Sequence, residues 1–566
     1  MARSLLLALV ILDARSLDSG AVVRTDVAIV GGGPAGLTLA QELSHVGCRI
    51  CLLESGGVGS DRGAEWMPPL ADGGPLAPTA ASRRQLGGNA HLWNTFIDHG
   101  RPAARFIPMD DIDFEARDWL PFSGWPLTRA DLEPFYRRAL AACGVDPGEC
   151  SPPARRSELD GDGFRTTVED FVRADVFTRR RPAALTEASN VIVMLHATAS
   201  TLAMDRSGLA VTGVRAFCES GRSFTVQAKL VVLAAGTVSN TRLLLLSNEI
   251  HGAGLGNQHD LVGRYFMDHH RINIGQLVPS DARLVDRAGL YDLRPDRHRY
   301  LMGKLTPDPA LMRREHLLNS STLLWPRPSP VVDSAVDAMK QLVRAAPRVR
   351  LDRDSLRRLG GVPRAAGYLM GTGLPLAVHQ RTLAPTIAGG GWSLSRSGRR
   401  RFTSFELVLQ SEQTPSPQNR LTLSAARDDT GLPRARITAR WSDVDLDSIE
   451  RTCRLLEAHF LRRAIGCVIP PPSAERPALH NTGGIYHHMG TTRMHRDERR
   501  GVVDQDCRVH GISNLFLAGG SVLPTGGYAN PSLTIVALAI RLADHLKSEI
   551  DAAPVVQSSV ASGPAR

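Results

Sequence analysis

Gly31, Gly33 and Gly36 carry the spacing Gly-x-Gly-x-x-Gly, and Glu54 follows 18 residues after the last of them. The glycines stand between a largely β-branched run, Asp26–Val30, and a stretch of helical spacing, Leu37–Val46, that ends at Gly47. A second apolar run, Arg49–Leu53, leads to Glu54. Strand, glycine loop, helix, strand and acid follow in the order that a dinucleotide site requires. Gly31 permits the tight turn, Gly33 lets a pyrophosphate approach the backbone, and Gly36 lets the helix pack on the strand. The helix N-terminus then meets the phosphates with unpaired N–H groups. Glu54 accepts hydrogen bonds from the adenosine ribose hydroxyls, which disfavours a 2′-phosphate. Cys48-Arg49-Ile50-Cys51 has redox or zinc spacing, but residues i and i+3 of a strand face opposite sides, so the two thiols do not share a partner. No other His/Cys/Asp spacing resembles a metal site.

The elements that must position this loop are spread along the chain. Leu230–Gly236 reads as a buried strand ending in small residues, with a helix over Ser239–Leu246. Val191–Leu195 is a strand leading into Ala197-Thr198-Ala199. Asn514–Gly520 is a strand entering a glycine turn, and a long helix, Pro531–Leu546, follows it. A nucleotide domain assembled from such distant segments suits a flavoprotein better than a compact NAD domain.

Composition bounds the remaining possibilities. The chain has 566 residues, 43% hydrophobic and 22% charged, which excludes a disordered, collagen-like or disulfide-dense protein and predicts at least two domains. The net charge of +10 is local: Lys340 to Arg401 holds thirteen Lys/Arg against Asp352 and Asp354, and the rest is near neutral. Within and just before that segment, Val331-Val332, Ala335-Val336, Met339, Leu342-Val343 and Ala346 recur at helical spacing up to Pro347, and the Arg-rich stretch Arg348–Arg364 follows. This predicts an amphipathic helix with a solvated Arg surface, or a contact for a membrane, a protein or an anion. With aromatics at 5% and no basic–aromatic interleaving, nucleic acid is not an expected partner. Leu5–Leu12 after Arg3 resembles a signal-peptide core, but it is short and is interrupted by Asp13, Arg15 and Asp18. Residues 1–19 therefore read as an N-terminal extension, and the sparse cysteines suit a reducing, cytoplasmic setting. The tail 552–566, rich in Ala, Ser, Pro and Val, reads as disordered.

Beyond the glycine fingerprint, the chain resembles the glucose–methanol–choline (GMC) oxidoreductases, flavin-dependent enzymes that oxidise alcohols. The resemblance is carried by Gly31–Gly36 with Glu54, Leu86–Asn94, Asp260–His269, Glu412–Arg420, His487–Met494 and Gly526–Pro531. It implies a discontinuous Rossmann-like α/β domain for FAD over 20–100, 185–270 and 475–548. An α+β substrate domain with a mainly antiparallel sheet would take 101–184 and 271–474. Glu406–Glu412, Arg420–Leu423 and Ala435–Trp441 read as strands of one sheet roofing the flavin. The implied FAD contacts are Gly31, Gly33, Gly36, Glu54, Gly87, Gly88, Asn94, Ala199, Gly519, Gly520 and Pro531.

The resemblance also makes His487 the catalytic base and Asn530 its partner. A neutral imidazole suits removal of a hydroxyl proton as hydride leaves carbon for flavin N5, and Asn530 can hold the substrate oxygen. His488 must face away from its neighbour, and His269 and His270 read as hydrogen-bonded structural groups. Pro531 at the first helical position lets the helix aim its positive end at the flavin. Some members attach FAD through a histidine one residue before the tryptophan; Leu92 stands there and His91 is out of phase, so non-covalent FAD is expected. Asn94 takes the place of a residue near flavin N5, and His495 replaces the usual glycine after Met494. The implied substrate is a sugar or sugar-like alcohol, with O2 or another electron acceptor; a lyase, a sterol or lipid alcohol oxidase, and a non-enzymatic flavin-bearing partner are the alternatives.

Overall fold

Val27–Val30 and Ile50–Leu53 are buried at every position, the pattern of strands covered on both faces. In the computed structural model they are the centre of a six-stranded parallel sheet. The structure describes residues 11–59, 83–97, 101–145, 157–218, 221–296, 299–345, 366–368, 370, 390–394, 401–428, 430–471 and 484–552. The sheet order is Ile11–Asp13, Val191–Leu195, Ile50–Leu53, Val27–Val30, Leu230–Leu233 and Leu515–Leu517. The edge strand Ile11–Asp13 comes from the segment read as an extension, and its parallel register with Val193–Leu195 ties that segment into the nucleotide sheet. Helix Pro34–Leu43 buries Ala40 and the larger Leu37, Leu39 and Leu43, each leucine worth up to ~2–3 kcal/mol. The last helix, Ser532–Ala552, packs across it. Its start lies one residue later than the sequence predicts: Pro531 caps the helix from outside, its carbonyl accepting from Ile535 N at 2.9 Å.

Thr198–Met204, Val211–Phe217, Ser223–Gln227 and Ala21–Arg24 form a four-stranded sheet beside the parallel one. The other large layer is a nine-stranded sheet whose pairings are all antiparallel. Its path runs Gly466–Ile469, His270–Pro279, Ser404–Ser411, Ser320–Arg327, Arg299–Pro307, Phe164–Arg173, Arg101–Phe106, Thr95–Ile97, with Arg294–Asp296 added to Arg299–Pro307. One face packs Leu305, Leu324, Leu407 and Leu409 into a core with Ile449, Leu456 and Phe460 of helix Asp443–Arg462.

The roofing sheet departs from expectation. Only Ser404–Ser411 enters the large sheet; Arg420–Arg427 and Pro433–Thr438 pair as a separate hairpin. The reason is a local core, in which Leu421, Ala435 and Ile437 pack with Val238, Phe266 and Trp441 beside helix Thr237–Leu246. The amphipathic stretch forms helix Pro330–Ala345 and buries Val332, Ala335 and Val336. Arg348–Arg364 and the tail 553–566 lie outside the described residues.

Candidate active site

The glycine loop divides its glycines by what surrounds them. A Cβ on Gly36 would stand 1.9 Å from the Gly31 carbonyl oxygen, and one on Gly31 would stand 2.6 Å from Ala235 Cα. These two glycines are packing necessities, and Gly31 also sits at φ +110°. A Cβ on Gly33 would meet nothing within 4 Å. Gly33 is the N-cap of helix Pro34–Leu43 and offers no side-chain cap, so the first helical N–H groups open onto that free space. Gly88 approaches Gly33 from the far side, where a Cβ would lie 3.0 Å from Gly33 Cα, and Gly87 N donates to Gly32 O at 2.8 Å. Glu54 is buried at the strand tip and accepts from Gly32 N at 2.9 Å and Gly56 N at 2.8 Å. Burial raises its pKa, against the pull of those N–H groups. Oε1 also accepts from Ser55 Oγ at 3.3 Å, so Oε2 is the oxygen that keeps a lone pair for a ribose hydroxyl. Arg84 bonds Thr198 Oγ1 at 2.6 Å and Ser55 O at 3.2 Å, so Ala199 lies beside the Glu54 tip.

Two further glycine turns face the same edge. Asn240, fully buried, cross-links the strand ends: its Oδ1 accepts from Ala235 N and its Nδ2 donates to Leu233 O and Ala518 O. The turn at Gly519, φ +119°, has no atom within 4 Å of a Cβ, whereas Gly520 presses on His488 O. An open helix N-terminus, an open glycine turn and a buried acid beside them fit a dinucleotide cofactor. Asn94 is exposed, ahead of strand Thr95–Ile97, and Trp93 behind it stacks edge-on to Phe106 and Phe177.

The histidine loop is built around one carboxylate. Asp268 accepts from the backbone N–H groups of His269, Ile485, Tyr486 and His487 at 2.7–3.2 Å. Gly484 is compressed onto it, since a Cβ there would stand 2.0 Å from Asp268 Oδ2. The adjoining rings diverge. His487 turns to His269, with the two Nδ1 atoms 2.8 Å apart. His488 lies against Phe266 and stands 3.8 Å from Asp268 Oδ2, and its carbonyl accepts from Thr237 Oγ1. Burial lowers the His487 pKa well below 6.5, and His269, Arg271 and Arg105 push it the same way. His269 is fully buried and is lowered to about 4, again chiefly by burial. His495 takes the place of a glycine at no conformational expense: it lies outside the left-handed region, and its Nδ1 accepts from Asp497 N.

Asn530 is placed by a second set of buried groups. Glu412 forms a two-pronged pair with Arg117 at 2.7 and 2.9 Å, both fully buried, and also accepts from Gly527 N. Gly527, at φ +53°, fits against Asp113, where a Cβ would stand 2.4 Å from the carboxyl. Gln410 Nε2 then donates to Tyr528 O at 2.7 Å and, more weakly, to Asn530 Oδ1 at 3.4 Å. Gln410 Oε1 accepts from Arg271, two residues after His269, at 3.3 Å. Asp268, His269, Asn240 and Gln410 were not legible as site residues; only the first two lie in a segment that resembles the family, and nothing local marks their roles.

Residues 415–539 match the family described as GMC oxidoreductase, and residues 26–389 match the family described as FAD dependent oxidoreductase. The chain belongs to the FAD-dependent GMC oxidoreductases. The C-glycoside 3-oxidase of Microbacterium trichothecenolyticum is 24% identical over 94% of this chain and 98% of its own. The 2-methyl-1,2-propanediol dehydrogenase of Mycolicibacterium austroafricanum is 24% identical over 92% and 95%, and the 6'''-hydroxyparomomycin C oxidase of Streptomyces lividus is 24% identical over 94% of both. Among solved structures, formate oxidase superposes with a TM-score of 0.53 at 16% identity, covering 94% of this chain and all of its own. This GMC oxidoreductase is therefore an FAD-dependent enzyme that oxidises CH–OH donors. Among its described residues, no helix is long and apolar enough to cross a membrane.

Proposed function

We propose that His487 is the general base of this GMC oxidoreductase and that Asn530 holds the substrate oxygen. The observation that carries the reading is the contact between His487 and His269. Two neutral imidazoles with Nδ1 atoms 2.8 Å apart share one proton between them. With His487 as the donor, its Nε2 is a bare lone pair, ready to take the hydroxyl proton. His269 is the positioning residue: with its own Nε2–H turned to the Gly526 backbone, its Nδ1 accepts and holds His487 in this tautomer. The lowered pKa of His487 keeps the base unprotonated through neutral pH. Asn530 Oδ1 is turned to Gln410, which leaves its Nδ2–H2 to donate to an oxygen acquiring alkoxide character.

FAD, when bound, supplies the two-electron acceptor for the hydride that leaves carbon. Gly33, Gly88 and the helix start at Pro34 would take its pyrophosphate, Glu54 its ribose, and Gly519 with the start of helix Ser532–Ala552 its ring end. The exposed Leu92 stands where a covalent link would form, so the cofactor is held without one. We assign 20–100, 185–270 and 475–548 to the cofactor side and 101–184 and 271–474 to the substrate side. The relatives named for C-glycosides and for hydroxyparomomycin support a sugar-like alcohol as substrate.

Anaerobic mixing of the holoenzyme with sugars, glycosides, polyols and sterols tests this, and readmitted air then separates oxidase from dehydrogenase. Sugar-like alcohols are expected to bleach the flavin. In His487→Ala, flavin stays bound while the reduction rate falls about 10³-fold, within the usual range for a lost general base. A variant as active as wild type overturns the assignment. Acid precipitation is expected to release free FAD; flavin retained in the pellet contradicts the non-covalent reading.

A further inference from the structure

The nine-stranded sheet has two unlike faces, and its register says which residues share each. Gln410 lies opposite Arg271 and Ser321, Glu169 opposite Met302, Thr167 opposite Lys304, and Phe171 opposite Arg105. Opposed residues and alternate residues along a strand project to the same side. Arg105, Glu169, Lys304, Ser321, Gln410 and Arg271 therefore occupy one face, the one turned from the leucine core. That face meets the Asn530 loop: Tyr528 Oη donates to Thr167 Oγ1 at 3.2 Å, and Lys304 Nζ lies 5.7 Å from the centre of the Tyr528 ring. It also reaches the histidines, because Arg105 and Arg271 disfavour charge on His487, and Lys304 does so on His269.

The charges on this face do not balance. Three cations surround one carboxylate, Glu169, which sits 2.7 Å from Lys304 Nζ with both side chains fully buried. Arg105 and Arg271 draw on the same Glu169. Asp268, the other carboxylate acting on Arg271, has its oxygens committed to the loop's backbone N–H groups. Arg105 is 4% exposed, and among the described residues its Nη1 is buried with no hydrogen-bond partner; Arg271 Nε and Ser321 Oγ are likewise buried and unpartnered there. Burying cations with too little counter-charge is strongly unfavourable, so a fold in which buried Arg105, buried Lys304 and half-buried Arg271 share Glu169 beside the proposed base has an anion to place there.

We propose that Arg105, Arg271 and Lys304 form a subsite for an anionic group, a carboxylate or a phosphate, on the alcohol that is oxidised. The inference rests on the reading of His487 as the base, and it narrows the substrate from a neutral sugar to a sugar acid, hydroxy acid or phosphate ester. Arg side chains favour such groups because their forked N–H donors match paired oxygens.

The test is titration of the oxidised holoenzyme with succinate and, separately, with inorganic phosphate, neither of which is an alcohol. Binding is read from the visible difference spectrum of the flavin. A saturable shift with either ligand is expected, and which one gives it tells carboxylate from phosphate. Lys304→Gln should weaken that binding about tenfold and Glu169→Gln should tighten it about tenfold, since one removes a cation and the other the competing carboxylate. A folding defect would move both variants the same way, so opposite signs isolate the charge effect. Affinities that shift in the same direction, or no shift with either ligand while neutral sugars bleach the flavin, overturn the proposal. Saturable anion binding with these opposite shifts, in an enzyme whose His487→Ala variant reduces its flavin as fast as wild type, would instead leave the subsite standing and refute His487 as the base.

Discussion

The parallel and antiparallel sheets prepare for their guests by different means. On the parallel side the preparation is backbone: helix starts without side-chain caps, and glycines at 33 and 519 whose missing Cβ leaves open space. On the antiparallel side it is side chains, with buried Arg105 and Lys304 and half-buried Arg271 on the same face as Glu169. The pyrophosphate and adenosine ribose of FAD are the same whatever the substrate, so N–H groups and one acid suffice to hold them. A substrate must be told from others, which requires particular charged groups held at particular places. The comparison also separates robustness from sensitivity, since a backbone cradle fails through sterics and a charged pocket fails through lost counter-charge.

The sharpest way to break the backbone side is at Gly36. Gly36→Ala places a methyl group 1.9 Å from a carbonyl oxygen, so loss of soluble folded protein is expected, read from expression and circular dichroism. Gly33→Ala should leave the apoprotein folded, because its Cβ meets nothing, while weakening flavin retention measured by the 450-to-280 nm absorbance ratio. Equal effects from the two substitutions would erase the distinction between a packing glycine and a cradle glycine. On the other side, Arg117→Met leaves Glu412 buried without its partner. A loss of about 3–5 kcal/mol is expected in chemical denaturation, whereas replacing both partners with apolar residues should recover much of it.

Acid provides a smaller and graded test. His269 and His270 are each held to about 4 by burial, below the ordinary 6.5. Between pH 6.5 and 4 the unfolded chain gains protons there that the native state does not, so stability should fall across that window, by up to ~3 kcal/mol per histidine. Urea midpoints measured along the window check this, and Asn substitution at His270 should flatten the slope. The acid limb of kcat/KM should lie below pH 6.5, because His487 is also depressed; a limb at or above 6.5 would place another group in control. The smallest effect belongs to the Cys-x-x-Cys pair. Cys51 is buried with its thiol pushed up to about 12, so Cys48→Ala and Cys51→Ala should change neither activity nor its response to thiol reagents.

How far the amino-acid order alone reached follows from distance along the chain. Gly31, Gly36 and Glu54 were legible because they lie within one strand–helix–strand unit whose geometry local spacing dictates. His487 and Asn530 were legible through contiguous stretches that resemble the family. The contact of His487 with His269 joins residues 218 positions apart, and His269 looked like an ordinary structural histidine until the Asp268 carboxylate brought the loops together. The charged face was invisible for a related reason. Arg105, Glu169, Arg271 and Lys304 come from four separate strands, and only their register shows that they share a side.

Cofactor class, family, the two candidate catalytic residues and the run of buried strands around the glycine loop were all legible because each is written in a short contiguous segment. Only tertiary contact shows that the His487 ring turns to His269 and that Arg105, Lys304 and Arg271 share one sheet face with Glu169. A strand specifies which residues alternate but not which strand lies next to it, and unbalanced charge becomes visible only once pairing has brought those strands side by side.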